Sequence, residues 1–282
     1  MTVATLRDLL QPAVAGRYAV AGLVVQGWED ALAYTQAAEE AGLPVILQAG
    51  PGARRHTPVS VLGKIFRHLA EHARVPVACH IDHAVTLEEC LAGIGEGFTS
   101  VMIDGSSLTL GQNIALTCRV AEAARAAGVS VEGEVGFVGY AGGRASAVTQ
   151  PADAALFERE TGVDALAISV GNVHLQTEAT EGIDLAALQA IAAVTRVPLV
   201  LHGGSGISPE TRRRLARQHR VAKFNIGTEL RQAFGAALRR ELAGHPGRFD
   251  RIEILSATIP AQRAAAAEAI RNLGPGSSDS PL

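Results

Sequence analysis

Three histidines and one aspartate are the residues of this 282-residue chain whose positions suggest chemistry. His83, His174 and His202 each follow an apolar, β-branched run, and Asp82 immediately precedes the first of them. Three imidazoles that converge from strand ends would bind a divalent metal and leave one coordination position open, as catalytic sites do and closed structural sites do not. An adjacent carboxylate that does not bind the metal would then transfer protons.

The alternative for each histidine is a hydrogen-bonded structural role, which is the commoner one for a single histidine at a strand end. Three of them at the ends of three predicted strands favour the metal site. His80 alternates with His83 along its strand and is expected to face away. Asp104 and Glu134 also follow strands, where a salt bridge or a helix cap at the rim is the alternative to a functional role.

Apolar runs alternate with alanine-rich helical segments along most of the chain. The predicted strands cover residues 17–24, 44–48, 75–81, 98–103, 129–134, 164–170, 197–202 and 221–226. The predicted helices cover residues 29–41, 58–73, 87–93, 112–127, 152–161, 185–194, 209–219 and 228–242. Continuously apolar strands separated by helices indicate a parallel sheet that is covered on both faces.

Eight such units match an α/β fold, the closed (β/α)8 TIM barrel, which typically has about 250 residues. An open doubly wound sheet is the alternative. The barrel is favoured because closure brings the carboxyl ends of all strands to one face, where polar residues would share a single pocket. Taken strand by strand, these residues are Gln48, Asp82, His83, Asp104, Glu134, His174, His202 and Asn225.

Composition and charge restrict the class of protein. The net charge of −3 gives no electrostatic reason to expect nucleic acid or an acidic membrane as a partner. No apolar run approaches the roughly 20 residues of a membrane span, and no signal-peptide pattern is present. Cys79, Cys90 and Cys118 lack CxxC spacing, which favours buried reduced thiols. We expect a cytoplasmic protein with one domain over residues 1–273 and a disordered tail over residues 274–282.

Two glycine-containing loops predict a phosphate site. Gly203 and Ser205 follow the seventh predicted strand, and Gly227 and Thr228 follow the eighth, each before a helix. Glycines let backbone N–H groups approach an anion, and helix N-termini favour negative charge. Barrels commonly bind phosphate at these two loops, although tight turns are the alternative explanation for the glycines.

A third loop, residues 136–146, contains four glycines and no acidic residue. Its composition is typical of a mobile lid that closes over a substrate.

Six motifs resemble those of the class II fructose- and tagatose-bisphosphate aldolases, in the same order and over residues 6–273. They are Cys79-His-Ile-Asp-His83, Val101-Met-Ile-Asp-Gly-Ser106, Val131-Glu-Gly-Glu-Val-Gly136, Gly171-Asn-Val-His174, Leu201-His-Gly-Gly-Ser-Gly206 and Lys223-Phe-Asn-Ile-Gly-Thr-Glu229. The resemblance implies a homodimeric or homotetrameric barrel that uses zinc to split a ketose phosphate into dihydroxyacetone phosphate and an aldehyde.

The resemblance also implies roles for individual residues. His83, His174 and His202 correspond to zinc ligands, and Asp82 to the acid/base. Asp104 and Glu134 match carboxylates that hold or exchange metal in relatives, so a second divalent or a monovalent cation is a further expectation. Substrate or phosphate contacts are expected from Gly203, Ser205, Asn225, Gly227 and Thr228, and additionally from Gln48 and Arg263.

A zinc mechanism explains these residues better than a Schiff base does. Cleavage of the C3–C4 bond needs a base for the C4 hydroxyl and an electron sink at the ketone, which a Lewis acid supplies. Lys223 is the candidate Schiff-base lysine, but that mechanism leaves the histidines unexplained, and the pattern leaves the orientation of Lys223 open.

The chain departs from the family at the rim of the predicted pocket. Gly22-Leu-Val24 replaces Ala-Phe-Asn, Gly50 replaces serine or threonine, and Ser107 and Leu175 replace histidine and glycine. The acidic lid of many relatives is absent from the segment at residues 139–144. Standard sugar bisphosphates are therefore more in doubt than the reaction type.

Two other functions remain open at this point. One is a metal-dependent barrel enzyme that performs another reaction on a phosphorylated sugar, such as an epimerase. The other is a non-catalytic zinc-binding paralogue, which the missing lid acid suggests.

Overall fold

The computed structural model describes residues 2–143, 145–178 and 182–276, and within them eight parallel strands close into a barrel. Every predicted strand is present, and the pairing of the third barrel strand with the fourth completes the closure. In their order around the barrel the strands are β2 (Val20–Val24), β3 (Val45–Ala49), β4 (Val77–Ala84), β5 (Ser100–Ile103), β6 (Ser130–Val135), β8 (Ala165–Ile168), β10 (Leu199–Leu201) and β11 (Val221–Ile226). The prediction of a TIM barrel is confirmed, and the open sheet is wrong.

Helices surround the barrel, and all eight predicted ones are present. They are α2 (Trp28–Ala41), α4 (Val59–His72), α5 (Leu87–Gly95), α6 (Leu110–Ala126), α7 (Pro151–Thr161), α8 (Leu185–Val194), α9 (Pro209–His219) and α10 (Thr228–Gly244). Four more were not predicted, namely α1 (Leu6–Gly16), α3 (Pro51–His56), α11 (Arg251–Ser256) and α12 (Ile259–Leu273). None of the helices in the described part of the chain has the length and apolarity needed to cross a membrane.

The amino-terminal end of the barrel is closed by α1. Leu6, Leu9 and Leu10 are buried there together with inward-facing strand residues such as Ile46 and Met102. A short strand, β1 (Val3–Ala4), pairs with the start of β4 and leads into this helix. Because the amino-terminal end is filled by these side chains, a site can form only at the carboxyl end of the barrel, as in other TIM barrels.

A second cluster of buried apolar side chains lies between the barrel and its helices. The last helix, α12, packs along α2 and ends at Leu273. Of the predicted disordered tail, residues 277–282 lie outside the described residues, so that expectation stays a prediction.

Two short strands lie at the carboxyl end of the barrel. Strand β7 (Gly139–Tyr140) belongs to the loop predicted as a lid, and it pairs in parallel with β9 (Val173–His174). The loop is thus attached to the strand that carries one of the three histidines.

Candidate functional site

One cavity at the carboxyl end of the barrel gathers most of the predicted site residues. The predicted residues that line it are Asp82, His83, His174, Gly203, Ser205, Asn225, Gly227 and Thr228. They come from β4, β9 and β11 and from the loops after β10 and β11, so barrel closure brings them together.

A bulge in β4 turns Asp82 and His83 into this cavity. The pairing of β4 with β5 shifts register between Ile81 and Ala84, and His83 adopts a left-handed backbone with φ of 52°. In a regular strand consecutive side chains point to opposite faces, whereas a bulge can redirect one of them. The predicted orientation of His80, away from the barrel interior, is therefore wrong. His80 is fully buried inside the barrel, where its Nδ1 lies 2.8 Å from Ser100 Oγ.

The three histidine rings lie against one another. Their centroids are 5.2 Å apart for His83 and His174, 4.6 Å for His83 and His202, and 5.6 Å for His174 and His202. One ring nitrogen from each histidine lies within 4.8 Å of the other two. This spacing is that of a set of donors which can face a single ion.

In two of the rings, one nitrogen is oriented by a carboxylate and the other is left available to an ion. His83 Nδ1 lies 2.8 Å from Asp104 Oδ2, and His202 Nε2 lies 3.0 Å from Glu132 Oε1. The other nitrogens, His83 Nε2 and His202 Nδ1, are buried, and neither makes a hydrogen bond of good geometry within the described residues, although His202 Nδ1 lies 3.3 Å from Glu134 Oε2. Metal-binding histidines characteristically bond a carboxylate with the second nitrogen, which fixes the ring. Neutral imidazoles suit zinc, so the residues fit such an ion.

Asp104 and Glu134 lie beside the rings and not in the cavity wall. Glu134 Oε2 is 3.3 Å from His202 Nδ1 and 3.9 Å from His83 Nδ1, and it is buried without a hydrogen-bond partner in the described part of the chain. His83, Asp104 and Glu134 form a second group whose ligand atoms lie within 4.8 Å of one another. A cation displaced toward the carboxylates would find donors there.

The histidines differ in how readily they hold a proton. Burial, reinforced by the charges of His83 and His202, lowers the pKa of His174 to about 3. Burial alone would also lower the pKa of the other two, but Asp82 and Asp104 raise the pKa of His83. The hydrogen bond with Glu132 and the nearby carboxylates likewise raise the pKa of His202 to about 10. A metal that binds here would compete with protons at His83 and His202 more than at His174.

Below the histidines, Glu132 and Lys223 form a fully buried ion pair that the sequence did not predict. Lys223 Nζ lies 2.6 Å from Glu132 Oε2 and 3.4 Å from His80 Nε2. Breaking a buried pair by removing one partner costs about 3–5 kcal/mol. Lys223 therefore points into the barrel, as Asn225 does, but it does not line the cavity. Its charge neutralises the Glu132 carboxylate, which in turn orients His202. Its pairing argues against a Schiff base.

Asp82 is held as a carboxylate by its surroundings. Burial alone would raise its pKa, but the charges of His83, His202, Lys223 and His80 lower it below the ordinary value. Its Oδ1 accepts a hydrogen bond of 3.0 Å from Asn225 Nδ2. The side chain is thus fixed and ionised, as a general base must be.

The two glycine-containing loops are tied together by Ser205. Its Oγ accepts hydrogen bonds from the backbone N–H groups of Gly227 and Glu229, both 3.3 Å long, which leaves its own O–H free to donate to a ligand. Gly203 has φ of 67°, and a Cβ there would lie 2.1 Å from the carbonyl oxygen of Val173, so only glycine fits. The N-terminus of α10 begins at the same place.

Arg231 also lies at the site, and it was not predicted from the sequence. It lies on α10, lines the cavity, and donates from Nη2 to Thr228 Oγ1 at 3.3 Å. Among the described residues that line the cavity, it is the one arginine or lysine. Its position one helical turn after the loop was the available signal, because a side chain there reaches back toward the N-terminus.

The loop predicted as a lid contributes Tyr140, whose ring stacks on His174 with centroids 4.9 Å apart. Burial and the charges of Asp104, Glu134 and Asp82 raise the pKa of Tyr140, so its hydroxyl remains a donor at neutral pH. Leu175, which the family resemblance pairs with a glycine, also lines the cavity and has φ of 61°. Arg144 of this loop lies outside the described residues.

Two predicted substrate residues do not reach the cavity. Gln48 is fully buried inside the barrel against Gly22, where a Cβ on the glycine would lie 1.7 Å from Gln48 Oε1. Arg263 lies on α12, half-exposed, and its Nη1 is 3.3 Å from Glu40 Oε1 of α2. Within one chain, neither side chain is placed to contact a substrate beside Asp82.

Comparisons with known proteins identify the family of the chain. The family model for class II fructose-bisphosphate aldolase matches residues 4–277. A fructose-bisphosphate aldolase of Geobacillus stearothermophilus is 35% identical, over 97% of this chain and 98% of the relative. A 6-phospho-5-dehydro-2-deoxy-D-gluconate aldolase of Halalkalibacterium halodurans is 36% identical, over 89% and 88%. The crystal structure of the YdjI aldolase from Escherichia coli K12 superposes with a TM-score of 0.86 at 30% identity, covering 98% of both chains.

Proposed function

Because the chain belongs to the class II fructose-bisphosphate aldolase family, which makes it an aldehyde-lyase, we propose that it cleaves a ketose phosphate reversibly into dihydroxyacetone phosphate and an aldehyde with the help of zinc. The observation that carries the proposal is the convergence of His83, His174 and His202 beside Asp82, at a cavity that is also lined by the two glycine-containing loops. One arrangement thus supplies an ion site, a base and a place for phosphate.

The residues of the chain divide the reaction between them. Asp82 takes the proton of the C4 hydroxyl as the C3–C4 bond breaks and the aldehyde forms. The electron pair left on C3 spreads into the C2 carbonyl, where zinc bound by the histidines would supply the Lewis acid. A proton delivered to C3 then gives dihydroxyacetone phosphate, so that one proton is removed and one is returned. Tyr140, which remains protonated beside His174, is placed to donate a hydrogen bond to substrate.

The phosphate of the donor half is assigned to the loops after β10 and β11. Ser205 offers a free O–H, the N-terminus of α10 favours negative charge, and Arg231 adds a permanent positive charge. Gly203 and Gly227 let the backbone approach the anion closely.

The acceptor half is proposed to lack a second phosphate. The cavity wall from β2, β3 and the start of α3 consists of Val24, Val25, Gly50, Pro51 and Ala53, together with Gln26 and Gly52. No arginine or lysine among the described lining residues besides Arg231 is available for a second anion. The two relatives described above carry names of different substrates at nearly equal identity, so family membership alone does not select the acceptor. We propose a smaller or less charged aldehyde than glyceraldehyde 3-phosphate.

A coupled assay for dihydroxyacetone phosphate tests the function. Purified protein, loaded with zinc or stripped by a chelator, would be given fructose 1-phosphate, fructose and tagatose 1,6-bisphosphates, and 6-phospho-5-dehydro-2-deoxy-D-gluconate. Zinc-dependent release from at least one ketose phosphate is expected. Epimerised sugar without dihydroxyacetone phosphate would indicate the epimerase-like alternative, and bound zinc without turnover of any substrate would indicate the non-catalytic one.

The assembly and the partners remain proposals as well. A homodimer or homotetramer that binds phosphorylated sugars, and neither nucleic acid nor membranes, follows from the family and the composition. Light scattering on the purified chain would measure the mass, and a monomer at micromolar concentration would contradict the expected assembly.

A further inference from the structure

Arg54 reaches from α3 to the backbone of the bulge in β4. Its Nη1 donates to the carbonyl oxygens of Ala49, at 2.6 Å, and Asp82, and its Nη2 donates to that of His83 at 3.0 Å. The side chain is 8% exposed. One guanidinium thus joins the end of β3 to the two bulged residues.

The bulge is the part of β4 that most needs outside support. The ladder to β5 is interrupted between Ile81 and Ala84, and His83 has a left-handed backbone, which a residue with a Cβ rarely adopts. Such a conformation persists only where surrounding groups fix it. The carbonyl groups of Asp82 and His83 lie in a partly buried environment, where they need donors. Arg54 supplies donors to both.

Few groups compete for this guanidinium. Its nearest carboxylate, Glu89 Oε2, is 3.8 Å away and half-exposed, and it accepts a hydrogen bond from the backbone N–H of Val85 just past the bulge. The principal partners of Arg54 are therefore carbonyl oxygens at the site, and the surface ion pair is secondary.

We propose that Arg54 is a positioning residue, whose planar guanidinium fixes the Asp82–His83 bulge and thereby sets the base and one metal-binding imidazole relative to each other. The inference rests on the proposed zinc aldolase function for the roles of those two side chains. It goes beyond that function because Arg54 itself contacts neither a metal nor a substrate.

The geometry makes lysine a poor substitute. Arginine presents several donors in a rigid planar fork, whereas a lysine ammonium is a single charged centre on a flexible stem. Arg54→Lys would keep the charge but could not donate to all three carbonyl groups from one rigid group. Arg55, the next residue on α3, is exposed, so Arg55→Lys is the matched control.

The test measures metal binding apart from turnover. Zinc affinity would be measured by competition with a chromophoric chelator, and the site geometry by the visible spectrum of the cobalt-loaded protein, in the full chain. Arg54→Lys is expected to weaken zinc by roughly 10–100-fold, the range for residues that orient metal ligands, and to alter the cobalt spectrum. It should lower kcat more than it changes KM, and Arg55→Lys should change none of these quantities.

A second variant, Arg54→Ala, removes the side chain, and its zinc affinity is measured with and without added guanidinium ion. Guanidinium ion at millimolar concentration should partly restore zinc affinity to Arg54→Ala but not to His83→Ala. The proposal is overturned if Arg54→Lys matches Arg55→Lys within twofold in zinc affinity and has the same cobalt spectrum. It is also overturned if both Arg54 variants fail to fold, since the role would then be general stability. Failure of the unaltered protein to cleave any ketose phosphate would overturn the proposed function and leave this metal-binding test valid.

Discussion

Asn225 on β11 donates a hydrogen bond from Nδ2 to Oδ1 of Asp82 on β4, at 3.0 Å. The two residues come from opposite parts of the chain, 143 positions apart, and meet because the barrel closes. Asn225 precedes the loop that contains Gly227 and Thr228, so the bond links the proposed base to the proposed phosphate site. The proposed reaction depends on this fixed position of Asp82, because proton transfer requires the base within hydrogen-bond reach of its proton.

Removal of the base should slow turnover strongly and leave the metal bound. In Asp82→Ala we expect zinc to remain bound and kcat to fall by about 10²–10⁴, the range for general acid–base catalysis. Asn225→Ala leaves the Asp82 carboxylate in place but removes its hydrogen bond, so kcat should fall by a smaller factor. Steady-state kinetics with metal analysis of both variants checks this. Loss of zinc in Asp82→Ala would make Asp82 a ligand or a support for one.

Activity should fall in acid because protons compete with zinc. The pKa of Asp82 is lowered, so this base stays ionised well below neutral pH, whereas the pKa values of His83 and His202 are raised. As pH falls, each proton that zinc must displace weakens binding by about tenfold per pH unit. Zinc affinity measured from pH 6 to 8 should rise with pH, and added zinc should move the acid limit of kcat/KM to lower pH. An acid limit that is unaffected by zinc concentration would refute this explanation.

Binding of the phosphate group of dihydroxyacetone phosphate should depend on Ser205 and Arg231. A hydrogen bond to a charged group contributes about 1.5–3 kcal/mol, so Ser205→Ala or Arg231→Gln should raise KM for dihydroxyacetone phosphate at least about tenfold in condensation. Arg240→Gln, an exposed substitution on the same helix, is the control and should have no effect. Inorganic phosphate should compete with the substrate. If unphosphorylated dihydroxyacetone reacts equally well, the assignment of the two loops is wrong.

The apolar rim should control the choice of aldehyde. Val24→Asn with Gly50→Ser introduces the polar groups that the family resemblance led us to expect at these positions. A Cβ at Gly50 would meet only ordinary contacts, 3.7 Å from Asp82 Oδ2 and 3.8 Å from Val24 Cγ1. A site that hydrogen-bonds a group discriminates more sharply than one that merely accommodates it. The double variant should therefore shift kcat/KM toward fructose or tagatose 1,6-bisphosphate. Cleavage of either bisphosphate by the unaltered protein as efficiently as any other ketose phosphate would contradict the proposed acceptor.

The strands and most helices could be predicted because their apolar periodicity is local. The helix α1 was missed because it contains Pro12, which ordinarily interrupts a helix, and because it precedes the first strand–helix unit. Likewise α12 follows the last unit, so the alternation gave no reason to expect it.

The site was predictable only where residue type and strand position together indicate chemistry. The histidines and Asp82 met both conditions. The inward direction of His80 and the bulge at His83 were not predictable, because the interrupted ladder and the support from Arg54 involve residues distant in sequence. The same holds for Glu132, whose role appears only once Lys223 and His202 lie on either side of it.

We expect His83, His174 and His202 to hold one zinc ion, and we expect aldol cleavage to require that ion. Its most direct test measures zinc content and dihydroxyacetone phosphate release together, in the unaltered protein and in His174→Ala. We predict about one zinc per chain in the unaltered protein, and loss of both the zinc and the activity in the folded variant. A His174→Ala protein that remains zinc-loaded and active would contradict it.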